Sequence, residues 1–333
     1  MDTRLKQEQA SIRKTPARKR SSSRDKGSLG ERLFQIFNIC FCIGMGLTTL
    51  IPFVNLIAKS FSSEAAVVSG SVNLFPIGFQ IGTYRYVLQD ILFIQSFRTS
   101  VIVTVLGTLL GLLFTTLTAY PLSKLRLRGR KWFLLYFIFT MLFSGGLIPT
   151  YLLMQELKLV NSIGVLFLPG MVNIFYLLLI KNYFEGLPES LEESAKIDGA
   201  GHLRILVSIV LPLSLPVLAT IGLFFAVQYW NDYFAAMIYI SNPEIKPLQL
   251  FLKEMLVASS NDFLKDRVDA ALNTTPQSIQ AASILLATLP ILLVYPFLQK
   301  YFVKVSLSAR SKANLRFAEG GEERSRAWLQ VEC

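Results

Sequence analysis

The sequence has few of the side chains that carry enzyme chemistry. Its 333 residues include three cysteines and one histidine. Cys40 and Cys42 lie in an apolar run and Cys333 is the last residue, so their spacing gives neither a disulfide framework nor a metal-ligand set. No Gly-Lys dipeptide occurs, which excludes the phosphate-binding loop of nucleotide hydrolases. We therefore predict no catalytic residue, no metal site and no bound cofactor.

Charged residues are absent from six long stretches of the chain. These stretches are 33–58, 99–123, 132–155, 159–180, 205–231 and 270–299. Each is long enough to cross a bilayer, which requires about 20 apolar residues. Because backbone groups in lipid must be hydrogen-bonded within their own segment, each stretch is most simply a helix. With 52% apolar residues and a mean hydropathy of +0.48, the sequence predicts an all-α polytopic membrane protein with six transmembrane helices.

Lysine and arginine are unevenly distributed among the loops between these stretches. Alternate loops hold 25 of the 33: 10 in 1–32, 5 in 121–131, 3 in 181–204 and 7 in 300–333. The positive-inside rule makes this side cytoplasmic. We therefore predict a multi-pass protein of a cell membrane with both termini in the cytoplasm. This asymmetry accounts for the net charge of +11, and no nucleic-acid partner is predicted.

The two ends of the chain differ in composition from the apolar middle. Residues 1–32 are rich in Arg, Lys and Ser, which predicts a basic disordered cytoplasmic tail. Its charges fix the membrane topology, and binding of anionic lipid headgroups is an alternative role that stays open. Residues 33–304 contain the six apolar stretches and form the predicted transmembrane domain. Residues 305–333 are polar and are predicted to be a second cytoplasmic tail.

The predicted cytoplasmic loop between helices four and five has the clearest local pattern. Pro188 suits the first turn of a helix. The acidic residues that follow it are stabilising there, because the N-terminus of a helix carries a partial positive charge. Gly199 can end this helix. Leu191, Ala195 and Ile197 are predicted near one face. Because the polar face is acidic rather than basic, the pattern favours a protein partner over a lipid surface.

This loop resembles the signature of the permease subunits of ATP-binding-cassette (ABC) importers. The signature is Glu-Ala-Ala, three residues, Gly, nine residues, and then Ile-x-Leu-Pro. The matching residues are Glu193, Ser194, Ala195, Gly199, Ile209, Leu211 and Pro212. Every spacing is kept, and the one departure is Ser194, where the family usually has alanine. Serine is small enough to preserve close packing.

Three further segments resemble the carbohydrate-importing branch of this family, especially the oligosaccharide permeases of Gram-positive bacteria. They are 143–151, Trp230-Asn231-Asp232 and 289–297. The resemblance covers about residues 33–304. After Lys304 the chain departs from the short Gly-rich end that is usual in the family, so 305–333 is predicted to be atypical.

The resemblance implies a bacterial importer assembled from several subunits. Its partners are a second homologous permease subunit, two ABC ATPase subunits and an extracytoplasmic solute-binding protein that delivers a sugar or oligosaccharide. ATP is used by the ATPase partners, so this chain is expected to be a transport subunit rather than an enzyme. The loop helix is expected to be the cytoplasmic coupling helix. The predicted ATPase-coupling residues are Glu192, Glu193, Ser194, Ala195, Asp198, Gly199, Ala200, Ile209, Leu211 and Pro212.

A candidate substrate pathway lies near the outer half of helix five. Tyr229, Trp230, Asn231 and Asp232 could present an aromatic ring and an amide to a sugar. Tyrosine and tryptophan in this position also suit an interfacial anchor, and both interpretations stay open.

Three other function classes account for the sequence less well than an importer. The main alternative is an ion-coupled secondary transporter, which usually places ionisable residues within its spans. The six stretches contain no charged residue. A membrane enzyme lacks a supporting motif, and a purely structural membrane subunit leaves the loop signature unexplained.

Overall fold

The computed structural model describes residues 29–258 and 276–294, and these form helices without a β-strand. The helices are α1 Leu29–Ser60, α2 Glu64–Val68, α3 Gly82–Gln89, α4 Ile91–Ser123, α5 Arg130–Leu142, α6 Leu147–Glu156, α7 Ile174–Glu185, α8 Glu189–Ile197, α9 His202–Ile205, α10 Leu211–Leu213, α11 Leu215–Asn231, α12 Phe234–Tyr239, α13 Leu248–Ala258 and α14 Pro276–Val294. A π-helical turn, Leu206–Val210, joins α9 to α10. The predicted all-α class is confirmed over this part of the chain. The predicted tails, apart from 29–32, and the two ends of the sixth stretch lie outside the described residues.

The number of membrane-spanning helices differs from the prediction. Among the described residues, Leu33–Ser60, α4 and α14 are each long and apolar enough to cross a membrane. Two helix pairs also qualify if each counts as one broken span. In one pair α5 and α6 meet at 110°, and in the other His202–Leu213 meets α11 at 83°. The structure therefore supports three to five spans by length and composition, and the count of six is not confirmed.

The fourth predicted span, 159–180, is not one helix. A 3-10 turn occupies Ile163–Leu166, and α7 begins only at Ile174. The prediction was wrong because it relied on the absence of charge and overlooked residues that interrupt helices. Asn161 has a φ of 58° and its Oδ1 accepts from the Ser241 amide at 2.6 Å, while Pro169 has no amide hydrogen to donate.

Side chains from two neighbouring helices satisfy the backbone of this irregular segment. Thr115 Oγ1 on α4 donates to the carbonyl oxygen of Met171 at 3.3 Å. Tyr229 Oη on α11 donates to the carbonyl oxygen of Phe167 at 3.3 Å. Non-helical backbone at membrane depth is tolerated where protein groups pair with it in this way.

The chain divides into two compact units, residues 1–53 and 54–333. In the first unit, side chains 33–53 of α1 are apolar for the most part and exposed. In the second, α4 packs against α7 and α11 around fully buried Leu177 and Phe225. A Cβ on Gly107 would lie 2.7 Å from the Tyr229 ring, so glycine permits the close approach of α4 and α11.

Candidate functional site

The acidic helix α8 begins and ends as its sequence requires. It follows Pro188, whose φ is −61°, and its first turn carries Glu189 and Glu192. Gly199 has a φ of +77°, which only glycine adopts readily. The Gly199 amide donates to the Lys196 carbonyl at 3.0 Å, and the Ala200 amide donates to the Ala195 carbonyl at 2.9 Å. These two bonds form a Schellman cap, which fixes the direction of the chain after α8.

The two faces of α8 have different surroundings. Ala195 packs against the hydrophobic core, as does Ala200 beyond the helix end. Ile197 is 86% exposed. The prediction that Ile197 shares a face with Ala195 was wrong, because residues two apart in a helix point about 200° away from each other. Ser190, Glu193 and Ile197 are all exposed and form what we call the outer face of α8.

Two ion pairs join α8 to the basic turn, residues 124–129, which follows α4. Lys124 Nζ donates to Glu192 Oε1, and these side chains are 31% and 14% exposed. Arg126 contacts Glu193 at 3.5 Å, and these side chains are 81% and 57% exposed. The inner pair is therefore shielded from water, whereas the outer pair is solvated.

A second charge cluster lies at the end of α7. Glu185 accepts from Lys181 at 2.8 Å and also from Arg130, the first residue of α5. Arg130 Nε additionally donates to the Leu122 carbonyl at 2.8 Å near the end of α4. Burial of Lys181, and then the nearby Arg130 charge, lower the pKa of the Lys181 ammonium. Glu185 offsets this unfavourable environment by pairing with both cations.

A cleft of about 360 Å³ opens between the basic turn and α8. Most of its lining residues are polar, and they include both cations of the basic turn that pair with α8. These polar residues are Ser123, Lys124, Arg126, Glu185, Glu189, Glu192, Glu193, Lys196 and His202. No group of three or more His, Cys, Asp or Glu side chains in residues 29–258 and 276–294 could hold a metal ion. The cleft is thus a charged surface feature beside an exposed helix, formed by the residues that surround the predicted coupling segment.

The remaining residues of the loop signature lie where the chain enters α11. Ile209 belongs to the π-helical turn, and Leu211 and Pro212 belong to α10. The 83° bend follows at Ser214, between Pro212 and Pro216. Prolines cannot donate the backbone hydrogen bonds of a continuous helix, so this bend has a local sequence cause.

The structure separates the four residues of the predicted substrate pathway. Tyr229 and Trp230 are 5% and 6% exposed, and the Trp230 ring lies 5.9 Å from that of Phe97. Asp232 Oδ1 accepts from the two amides that open α12, at 3.0 and 3.2 Å. Asn231 is exposed. Within this chain, Asn231 is therefore the most accessible of the four, and sugar contact stays a prediction.

The ion pairs on and near α8 were not predicted from the sequence. Lys124, Arg130 and Lys181 counted only toward membrane topology, and Glu185 was assigned no role. One signal was available, because Lys181 and Glu185 have the i,i+4 spacing of a helical ion pair. The pairing of Lys124 with Glu192 joins residues 68 apart and has no local signature.

Known proteins are similar to this chain in sequence and in fold. Residues 111–305 match the family described as binding-protein-dependent transport system inner membrane component. Protein LplC of Bacillus subtilis is 46% identical over 275 residues, which cover 82% of this chain and 92% of LplC. The B. subtilis polygalacturonan/rhamnogalacturonan transport system permease protein YtcP is 43% identical over 278 residues, covering 83% of this chain and 97% of YtcP.

A solved structure has the same fold over most of the chain. It is the crystal structure of a bacterial ABC transporter involved in the import of the acidic polysaccharide alginate. One chain of that transporter is 37% identical and superposes with a TM-score of 0.80, covering 83% of this chain and 99% of its own length.

Proposed function

This chain belongs to the family of binding-protein-dependent transport system inner membrane components, and we propose that it is the permease subunit of an ABC importer for a sugar or oligosaccharide. The observation that carries the proposal is the loop signature on an exposed helix. Glu193, Ser194 and Ala195 lie on α8, and Gly199 ends it with a left-handed residue. A short acidic helix presented to solvent beside apolar spans is suited to docking a partner protein.

The partners are a second homologous permease subunit, two ABC ATPase subunits and an extracytoplasmic solute-binding protein. The family description itself supports dependence on a binding protein. ATP is hydrolysed by the ATPase subunits, and this chain contributes no nucleotide site of its own. The charge asymmetry of the loops supports a bacterial cell membrane location with α8 and both chain ends in the cytoplasm.

Acidic oligosaccharides are the first substrate class to test. YtcP is named for transport of polygalacturonan and rhamnogalacturonan, and the 37% identical structural relative belongs to an alginate importer. Tyr229, Trp230, Asn231 and Asp232 remain the candidate substrate pathway. Of these, Asn231 is the first to substitute, because its amide is exposed in this chain.

The geometry of α8 supports a role in coupling. The outer face is free to enter a cleft on an ATPase subunit, where Ile197 would bury apolar surface. The small, exposed Ser194 permits close approach of the ATPase subunit, and Asp198 precedes the turn at Gly199. Ala195 and Ala200 instead seat α8 and the turn after it against the core of this chain. When ATP draws the ATPase subunits together, α8 moves with them and shifts the permease pair between inward-open and outward-open states.

The end of the signature transmits this movement into the membrane. Ile209, Leu211 and Pro212 lie between α8 and the 83° bend that leads into α11. Movement of α8 would therefore act on the first residues of α11, a 17-residue helix that packs on α4.

Co-purification tests the proposal. The tagged chain is expressed with candidate ATPase and sister-permease subunits as the wild type, Glu193→Ala and Gly199→Arg. We expect the wild type to recover both partners and Gly199→Arg to lose the ATPase while it retains the sister permease; Glu193→Ala should lose part of the ATPase. Equal recovery of an ATPase by all three, or recovery of none by the wild type, would contradict the coupling assignment. In the second case, uptake driven by an ion gradient would indicate a secondary transporter.

A further inference from the structure

Helix α8 has a lateral connection to α4 in addition to its covalent links to α7 and α9. Lys124, the residue after the end of α4, pairs with Glu192 in the first turn of α8. The Lys124 ammonium also lies 4.7 Å from the centroid of the Tyr120 ring, one turn earlier on α4. The cation is therefore held between an aromatic ring of α4 and a carboxylate of α8.

Burial distinguishes this ion pair from its neighbour. The Glu192 side chain is 14% exposed and that of Lys124 is 31% exposed, against 57% and 81% for Glu193 and Arg126. Solvated ion pairs contribute little because water competes for both charges. A pair that is less exposed to water is more costly to break, since removal of one partner leaves the other as a partly desolvated charge.

The helix at the other end of this connection is suited to carry movement. At 33 residues α4 is about 50 Å long, using a rise of 1.5 Å per residue. It packs along α7 and α11. Near its other end, Ser100 Oγ accepts from the Leu248 amide at 2.7 Å, which joins α4 to α13. A displacement applied at Lys124 therefore reaches elements more than 20 residues away along α4.

We propose that the Lys124–Glu192 ion pair positions α8 against α4 and transfers the movement of α8 to α4 during transport. Lys124 and Glu192 are positioning residues in this account, because they act through helices and touch neither substrate nor nucleotide. The inference rests on the proposed function, since it presumes that an ATPase moves α8. It adds a second path by which movement of α8 reaches the apolar helices, independent of the covalent path through the bend at Ser214.

The inference predicts that coupling requires opposite charges at positions 124 and 192, whichever of the two positions carries the positive one. Lys124→Glu or Glu192→Lys places like charges together, so movement of α8 would no longer be transferred fully to α4. The exchanged double variant, Lys124→Glu with Glu192→Lys, restores an attractive pair. Arg128→Glu is the matched control for Lys124→Glu, because Arg128 is exposed in the same basic turn and its reversal changes the net charge by the same amount and in the same direction.

The experiment uses the complete importer in proteoliposomes, with oligogalacturonides from digested polygalacturonan as the transported probe. The readout is ATP hydrolysed per sugar taken up, which a merely structural role of the pair would not change. We expect each single reversal to raise this ratio about tenfold and the double variant to return within about threefold of wild type. Arg128→Glu should stay within about twofold. A variant that is not recovered from membranes is replaced by Lys124→Gln or Glu192→Gln.

The outcomes separate this inference from the function on which it rests. If the wild type transports but both single reversals also transport with a normal ratio, the positioning role is wrong. If Glu192→Lys alone loses the ATPase from the complex and the exchanged double variant does not recover it, Glu192 contacts the ATPase directly and the inference fails. A wild-type complex that takes up neither this probe nor a panel of neutral oligosaccharides in an ATP-driven manner would overturn the proposed function and this inference together.

Discussion

Replacing Gly199 by alanine tests the role of the α8 cap with the smallest possible perturbation. Gly199 has a φ of +77°, and no heavy atom lies within 4 Å of the position that a Cβ would occupy. The substitution therefore introduces backbone strain without a steric clash inside this chain. The left-handed conformation costs an alanine about 1–2 kcal/mol. Reduced freedom of the unfolded chain offsets about 0.4–1 kcal/mol of this, which leaves a net destabilisation of about 1 kcal/mol.

A net cost of this size has a measurable effect on the cap. It raises the ratio of open to closed cap about fivefold. The Gly199 and Ala200 amides, which donate to the Lys196 and Ala195 carbonyls, should then exchange their hydrogens about fivefold faster. Hydrogen exchange followed by mass spectrometry of a peptide that spans 196–201 measures this change. ATPase recovery by the tagged complex should fall in parallel.

Two further variants separate the effect of backbone strain at position 199 from the effect of adding a side chain. Gly201→Ala is the matched control, because Gly201 has a φ of −72° and open space around its Cβ position. We expect its exchange to equal that of the wild type. Gly199→Asn should be intermediate in exchange, since asparagine tolerates the left-handed region better than alanine does. Unchanged exchange in Gly199→Ala, or an equal rise in Gly201→Ala, would refute the capping argument.

Three other substitutions test the docking face, the core and the charge cluster. Ile197→Asp should lower ATPase recovery about tenfold or more without loss of the sister permease, because burial of this side chain in the complex is worth about 1.5–3 kcal/mol. Gly107→Ala should lower the free energy of unfolding by about 1–3 kcal/mol, since its Cβ would lie 2.7 Å from the Tyr229 ring, and thermal unfolding in detergent measures the loss. Glu185→Gln should cost about 1–3 kcal/mol in the same assay, because the buried Lys181 ammonium loses its carboxylate.

Each of these predictions has a control within the chain. Ser190→Asp adds a charge to the same outer face without removing the apolar side chain, so it should affect ATPase recovery less than Ile197→Asp. Gly82→Ala should unfold like the wild type, because no heavy atom lies within 4 Å of its Cβ position. Glu189→Gln alters an exposed carboxylate and should change stability by less than about 0.5 kcal/mol. Equal effects in a variant and its control would contradict the corresponding argument.

The helical class and the end of α8 could be predicted because their causes are local. A long uncharged run in lipid must form a helix, because its backbone groups can be hydrogen-bonded only within the segment. A glycine after an amphipathic segment allows the left-handed turn seen at Gly199. The start of α4 was placed too late, at 99 rather than at Ile91. Asp90 Oδ1 accepts from the Leu92 amide at 2.9 Å, so the capped helix begins before the charged Arg98.

The interruptions and the charge pairing could not be predicted from residue pattern alone. The break in 159–180 is stable because Thr115 and Tyr229, remote in sequence, satisfy its carbonyl groups. The burial of Tyr229 likewise depends on Gly107 of another helix. Lys124 and Glu192 meet because the end of α4 lies beside the first turn of α8. These features depend on tertiary contacts, which a search for local periodicity cannot detect.

Cross-linking from the outer face of α8 tests the central claim most directly. A photoreactive amino acid is placed at Ile197, which is 86% exposed, in the assembled importer. The account predicts a covalent adduct between this chain and an ABC ATPase subunit. It predicts no such adduct when the same group replaces Phe75, which lies between the first two predicted spans, on the side of the membrane opposite the basic loops. An importer that still takes up oligosaccharide but forms no ATPase adduct from position 197 would contradict the assignment of α8 as the coupling helix.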